Sequence, residues 1–401
     1  MMFESFFFAG FEGATGWNRH DVWIDQVAAT EHDRFADEDY RRLREVGLLA
    51  AREAVRWPLV DERGRYDCAS LVPFVRASVR HRIAVVWDLF HFGYPIDLDV
   101  FSASMPERFA EYCRAAARFI VRETDGPYAF TPINEPSYFA WAAGEAGLFA
   151  PHCRGRSVEL KYQLARAAIL GAEAILGVVS DATIVSVDAM CRVTAPADRP
   201  DLRAEATAFN YEVVFESWDM IAGLRAPELG GSPSHLGVPG VNYYWTNQWE
   251  LGAVGTPLAV DDPRRVALAE IIRDVWRRYR RPVLVTETSH VDDGRAGWIT
   301  ELTRAAQDVL ADGVPLGGVC LYPILGMPEW HDPDTWTRMG LWDLVLEDRA
   351  LNRVVHSPML EALREAQRLG GVGGANGARS GANGSRPRTS RARPSSAWHA
   401  S

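Results

Sequence analysis

Eight apolar, β-rich runs, helical periodicity between them and no glycine-rich GxGxxG turn after the first run predict an α/β protein. They point to a single-domain (β/α)8 barrel. The runs are FFFAGFEG (6–13), LLAAREAVRW (48–57), RIAVVWDLFHF (82–92), YAFTPINEP (128–136), ATIVSVDAM (182–190), GVPGVNYYW (237–245), RPVLVTETSH (281–290) and LGGVCLYPIL (316–325). Strands that alternate with helices must pair in parallel, because each crossover returns the chain to the same edge. A doubly wound open sheet is the competing architecture, and it would carry the glycine-rich turn that is missing here.

Between the runs, Asp37 is placed to cap a helix whose Tyr40, Leu43 and Val46 share a face, with Gly47 as its stop. Asp262-Pro263 is placed to open another, with Leu268, Ile272, Val275 and Tyr279 on one side. Residues 1–369 therefore read as one barrel domain. From 370 to 401 Gly, Ser, Ala, Pro and Arg dominate, with five arginines and no acid, so this tail is expected to be disordered and solvated.

Composition excludes several classes. A net charge of −10, spread along the chain, lacks the basic stripe of a nucleic-acid binder. No run approaches the ~18 apolar residues of a membrane span, and the opening MMFESFFFAGF, interrupted by Glu4, does not read as a secretion signal. Five dispersed cysteines, Cys68, Cys113, Cys153, Cys191 and Cys320, suggest reduced thiols and a cytoplasmic protein. Oligomeric state is not legible.

In such a barrel, chemistry belongs at the C-terminal ends of the strands. Those ends supply Arg52, Arg56 and Trp57; Asp88, His91 and Tyr94; Asn134 and Glu135; Asn242, Tyr243, Tyr244 and Trp245; Glu287; and Tyr322, Glu329 and Trp330. Schiff-base chemistry needs a strand lysine, and the only lysine is Lys161, in a helical pattern. A metal-dependent isomerase needs clustered carboxylates and histidines, whereas Asp88, His91 and Glu135 are dispersed. What remains is a pair of acids, Glu135 and Glu287, with indole and phenol walls. That is equipment for cleaving a glycosidic bond, where one acid protonates the departing oxygen and the other attacks the anomeric carbon. No cofactor or metal is implied, and the expected partner is a small carbohydrate or glycoside. Asp88 and Arg56 either line the pocket or pair with each other, Glu53 faces the barrel wall, and His290 is a candidate for the rim.

TPINEP resembles the T-x-N-E-P signature of glycoside hydrolase family 1, and LVTETSH is similar to that family's nucleophile strand. In chain order, AREAVRWPLV, LFHFGYP, GVNYYW, YPILGMPEW and RMGLW resemble further family patterns, so the likeness spans residues 6 to 345. It implies a retaining β-glycosidase in which Glu135 is the acid/base and Asn134 meets the sugar 2-hydroxyl. Glu287 is the nucleophile, held by Arg52 and Tyr244. His91 faces the 3-hydroxyl, Glu329 the 4- and 6-hydroxyls, and Trp330 lies nearby. Asn242 and Tyr322 complete the substrate-binding set.

The departures from the family are local. The first-strand glutamine has Glu12 as its nearest counterpart, an aspartate is replaced by Gly93, and Thr288-Ser289 follow the nucleophile. Tyr322 stands in place of a tryptophan platform, and its bond to Pro323 is expected to be cis and to aim the ring into the sugar site. A transglycosidase using the same covalent intermediate and a degenerate sugar-binding barrel remain as alternatives.

Overall fold

The structure is a computed structural model that describes residues 2–347 and 350–369. The basic segment 370–401, expected to be disordered, lies outside the described residues. Eight strands form the barrel: β1 (Phe7–Gly10), β2 (Ala50–Ala54), β3 (Ala84–Asp88), β4 (Tyr128–Thr131), β5 (Thr183–Ala189), β6 (Val238–Asn242), β7 (Val283–Thr288) and β8 (Leu316–Leu321). Each lies inside the run that predicted it. They close in the order β1-β8-β7-β6-β5-β4-β3-β2, and every pair is parallel. The (β/α)8 barrel is therefore the observed fold.

Side chains alternate across each strand. The inward set, including Phe8, Ala50, Val86, Ala129, Val185, Val187, Leu284 and Cys320, packs the barrel interior, and Phe3 packs against Phe8 within it with the rings tilted at 60°. The outward set meets the helices: α1 (His32–Glu45), α2 (Val72–His81), α3 (Met105–Glu123), α4 (Pro136–Gly144), α5 (Ser157–Leu176), α6 (Glu216–Ile221), α7 (Leu268–Tyr279), α8 (Gly294–Ala311) and the terminal α9 (Ser357–Leu369). Because the interior is filled with apolar side chains, polar groups stand where the strands end. Among the described residues no helix is long and apolar enough to cross a membrane, and the five cysteines are free.

Two helix starts differ from the sequence reading. Helix α1 begins at His32, not at Asp37, and bends at Phe35, where φ is −109°. Asp37 instead pairs with Arg80 and His81 of α2. Helix α7 begins at Leu268, because Asp262 folds back on the backbone and side chain of Arg264 in a turn.

Outside β2 lies a buried ionic cluster. Glu53 faces outward, as expected, and meets His32 Nε2 at 3.0 Å and the Tyr40 hydroxyl at 3.0 Å. His32 Nδ1 contacts Asp39 at 2.9 Å, and Asp39 receives Arg353 at 2.8 and 2.9 Å. This joins the C-terminal hairpin (Trp342–Glu347 and Ala350–Val355) to the first helix. Burial alone would lower the His32 pKa, but the charge of Glu53 and the hydrogen bonds to both acids outweigh it and raise it to about 9. A folded-state pKa above the ordinary 6.5 means that this stabilisation is complete below about pH 6.5 and is lost as pH rises through about 9. Urea titrations of wild type and His32→Gln should therefore differ most below pH 6.5 and converge at alkaline pH.

Candidate active site

At the mouth of the barrel, one guanidinium joins three strands. Arg52, two residues beyond the inward Ala50 on β2, donates to Glu287 on β7. Its Nη2 donates to Asp88 on β3 at 2.7 Å and to the Asn134 side-chain carbonyl after β4 at 2.7 Å. Burial by itself would lower the Arg52 pKa, but the charges of Asp88 and Glu287 prevail and raise it further. Above the guanidinium sits Tyr322, with the arginine carbon 5.3 Å from its ring centroid. Gly10, opposite Arg52 on β1, makes room for that ring: a Cβ there would lie 2.2 Å from Tyr322 Cδ2.

Glu287 reaches the mouth through a β-bulge. Gly240 and Val241 of β6 pair with Leu284 and Val285, but Asn242 then pairs with Glu287. Thr286 is the extra residue. Leu284 and Thr286 both face inward, so an unbroken strand would turn Glu287 outward; the bulge re-aims it. Its second oxygen accepts the Tyr244 hydroxyl at 2.9 Å.

Glu135 has a different setting. It is the N-cap of α4, in the left-handed region at φ 45°, but its carboxyl makes no capping bond. Instead Oε1 accepts the Asn242 side-chain amide at 2.8 Å, and Asn242 is oriented by the Thr286 hydroxyl, which donates to its Oδ1 at 2.7 Å. Burial, and next the charge of Glu287, push the Glu135 pKa well above the ordinary carboxylate value. The two acids thus differ in their partners: a guanidinium and a phenol for Glu287, a neutral amide for Glu135.

His91 is anchored through Nδ1, which lies 2.8 Å from Asp88, while Nε2 faces the Asn134 amide nitrogen at 3.2 Å. The Asn134 oxygen already accepts Arg52 and Asn242, so its NH2 must point at His91. Burial opposes the imidazolium, but the hydrogen bond and charge of Asp88, followed by the charge of Glu12, prevail and raise the His91 pKa. In the neutral ring the Asn134 donor places the proton on Nδ1, against Asp88. Glu12 Oε1 stands 3.5 Å from His91 Nε2, and burial raises its pKa.

Of the residues singled out in the sequence, Arg52, Asn134, Glu135, Asn242, Tyr244 and Glu287 form one hydrogen-bonded cluster, with His91 and Tyr322 against it. The Tyr322-Pro323 bond is cis, as expected. The Tyr322 ring is only 2 % exposed and lies parallel to His91, so it is a floor rather than an open platform. Trp330 packs against Phe92, Tyr138 and Phe149 at the rim. Glu329 is not drawn into the cluster; its exposed carboxylate accepts the Thr337 hydroxyl at 2.6 Å.

The Asp88–Arg56 pairing does not form, since Arg56 binds Asp25 and Asp88 is taken by Arg52 and His91. His290 stacks on Trp245 with ring centroids 4.8 Å apart. The glycine at 93 is enforced by packing, because a Cβ would lie 1.8 Å from the Thr15 carbonyl oxygen; no aspartate fits there. Asp188, at the end of β5, escaped the sequence reading although it carries the same signal as Glu135, an acid closing an apolar strand.

The chain matches no protein-family model and no curated protein. Among solved structures it is similar to a family 1 β-glucosidase from Thermotoga maritima, at TM-score 0.72 and 17 % identity over 90 % of this chain and 98 % of that one. It is likewise similar to a Thermotoga maritima β-glucosidase in complex with glucoimidazole (TM-score 0.74, 16 % identity, 90 % and 98 % covered) and with deoxynojirimycin (TM-score 0.74, 17 % identity, 92 % and 99 % covered). At these identities the likeness establishes a shared fold across nearly the whole of both chains.

Removing one member of a buried ion cluster leaves the others uncompensated. Arg52→Met should cost about 3–5 kcal/mol in chemical denaturation, and adding Glu287→Gln to it should recover part of the loss.

Proposed function

We propose that this chain is a retaining β-glycosidase of the family 1 type, acting on small β-glucoside-like substrates without metal or organic cofactor. The observation that supports it best is the contrast between two buried acids at the ends of β4 and β7, one ion-paired and one with its proton affinity raised. Environments that separate two like groups are how acid and nucleophile roles are divided.

In the proposed cycle the Glu287 carboxylate attacks the anomeric carbon while Glu135 gives its proton to the leaving oxygen. Once the leaving group departs, Glu135 takes a proton from water, and that water releases the sugar from Glu287. Configuration is retained, which requires the two carboxyl groups to stand roughly 5–5.5 Å apart. Arg52 and Tyr244 orient the nucleophile. Asn134 and His91 are placed to meet sugar hydroxyls, Tyr322 closes the floor, and Trp330 with Glu329 belongs to the rim. The shared fold with β-glucosidases, two of them in complex with glucoimidazole and deoxynojirimycin, is consistent with a sugar-sized ligand at this mouth. Free thiols suit a cytoplasmic setting.

Incubation with 2,4-dinitrophenyl 2-deoxy-2-fluoro-β-glucoside followed by peptide mass analysis should find the sugar on Glu287. An unlabelled protein, or a label elsewhere, overturns the assignment. Glu287→Gln should abolish turnover. Glu135→Gln should slow cleavage of poor leaving groups by about 10²–10⁴-fold while sparing the first step with dinitrophenyl substrates.

A further inference from the structure

Helix α4 begins at Glu135 without the help of the Glu135 carboxyl. An N-cap acid ordinarily accepts the free N–H groups of the first turn, but Glu135 is turned to Asn242 instead. Pro136 has no N–H, so the first free donor is Ser137. That donor is taken in trans: Ser137 N–H points to Asp188 Oδ2 at 3.3 Å. Asp188 follows the inward Val187 on β5, so its side chain stands on the outer face, against α4 and α6. It also accepts the Ser217 hydroxyl of α6 and the Ala189 N–H at 2.9 Å, and it is fully buried. The same stretch of β5 holds the backbone of the acid, since Glu135 N–H donates to the Val187 carbonyl at 3.0 Å.

We propose that Asp188 is a positioning residue for the acid/base: it caps the helix in place of Glu135 and leaves that carboxyl free and protonated in the mouth. The inference rests on the glycosidase reading for its catalytic meaning. A bare helix N-terminus carries partial positive charge and would draw the proton off Glu135; a carboxylate on that N-terminus cancels the effect and adds repulsion of its own.

The other groups around the pair act in known directions. Burial raises the Asp188 pKa, against which the Ser217, Ser137 and Ala189 donors hold its charged form; Lys161 on α5 also attracts that charge, but its ammonium is already paired with Glu216 at 2.9 Å. Glu287 works with Asp188 to keep Glu135 protonated, while the Asn242 amide that donates to its carboxyl and the Arg52 charge work against both. Tyr138, Tyr244 and Cys191 sense the Glu135 charge, and burial raises the pKa of each, so they stay neutral at physiological pH.

The test follows Glu135 directly. In full-length protein labelled with [δ-13C]glutamate, the Glu135 resonance is identified by its loss in Glu135→Gln, and its titration midpoint is compared in wild type, Asp188→Asn and Ser217→Ala. Asp188→Asn keeps an acceptor for Ser137 but removes the charge, so the midpoint should fall by about one pH unit. Ser217→Ala weakens the charged form of Asp188 and should move the midpoint the same way by less; it carries the test if Asp188→Asn does not fold. An unchanged or raised midpoint overturns the proposal.

Kinetics gives a second readout. For an alkyl β-glucoside the basic limb of kcat/KM should move down with the midpoint, while the glycosylation step with a dinitrophenyl glucoside should not move. If the fluoro-sugar fails to label Glu287 but the midpoint still shifts, the glycosidase reading falls and the capping role stands. If labelling succeeds and the midpoint is fixed, the capping role falls alone.

Discussion

The structure of the mouth depends on one buried positive charge. Arg52 is 1 % exposed, and a guanidinium taken out of water costs more than its packing returns unless anions surround it. Glu287 and Asp88 supply that surround, and Asn134 supplies an oriented dipole. The planar fork of arginine reaches all three at once, which a single ammonium point charge cannot do. Its Nε finds no acceptor among the described residues, so the ends of the fork carry the whole load. Much of the neighbourhood follows from this. Gly10 lacks a side chain so that Tyr322 fits over the guanidinium, and His91 is turned by the carboxylate that Arg52 holds.

A second, neutral chain crosses the first. Thr286 donates to Asn242, and Asn242 donates to Glu135 and, at 3.3 Å, to Asn134. Both chains end on Asn134, whose amide is therefore fixed in orientation without any ambiguity between its oxygen and nitrogen. The charged chain delivers an anion to one side of the mouth, and the neutral chain delivers a proton-holding acid to the other. The two glutamates are set apart by their surroundings, not by their own chemistry.

The barrel was legible because apolar, β-rich runs alternating with helical patterns, and the count of eight, leave few architectures. The acids Glu135 and Glu287 stood out in the sequence because acids seldom close buried strands. Other features were hidden for physical reasons. Helix α1 starts early because His32 is pulled into a long-range ionic cluster that no local capping pattern announces. Asp262 looked like a cap and is spent on Arg264 instead. Glu329 sits in an irregular loop, where neighbouring sequence gives no direction to a side chain, and it turned to Thr337. Gly93 reads as a missing aspartate in the sequence, yet it is a contact between two backbones.

The extra residue in β7 has a consequence for anyone who engineers or threads this chain. Strand β7 reaches the mouth with one residue more than β6, so the position of Glu287 is encoded in length as much as in identity. Pairing the two strands residue for residue past Val285 would set Thr286, not Glu287, opposite Asn242. The result would be a tidier barrel in which the Glu287 carboxylate faces the helices instead of the mouth.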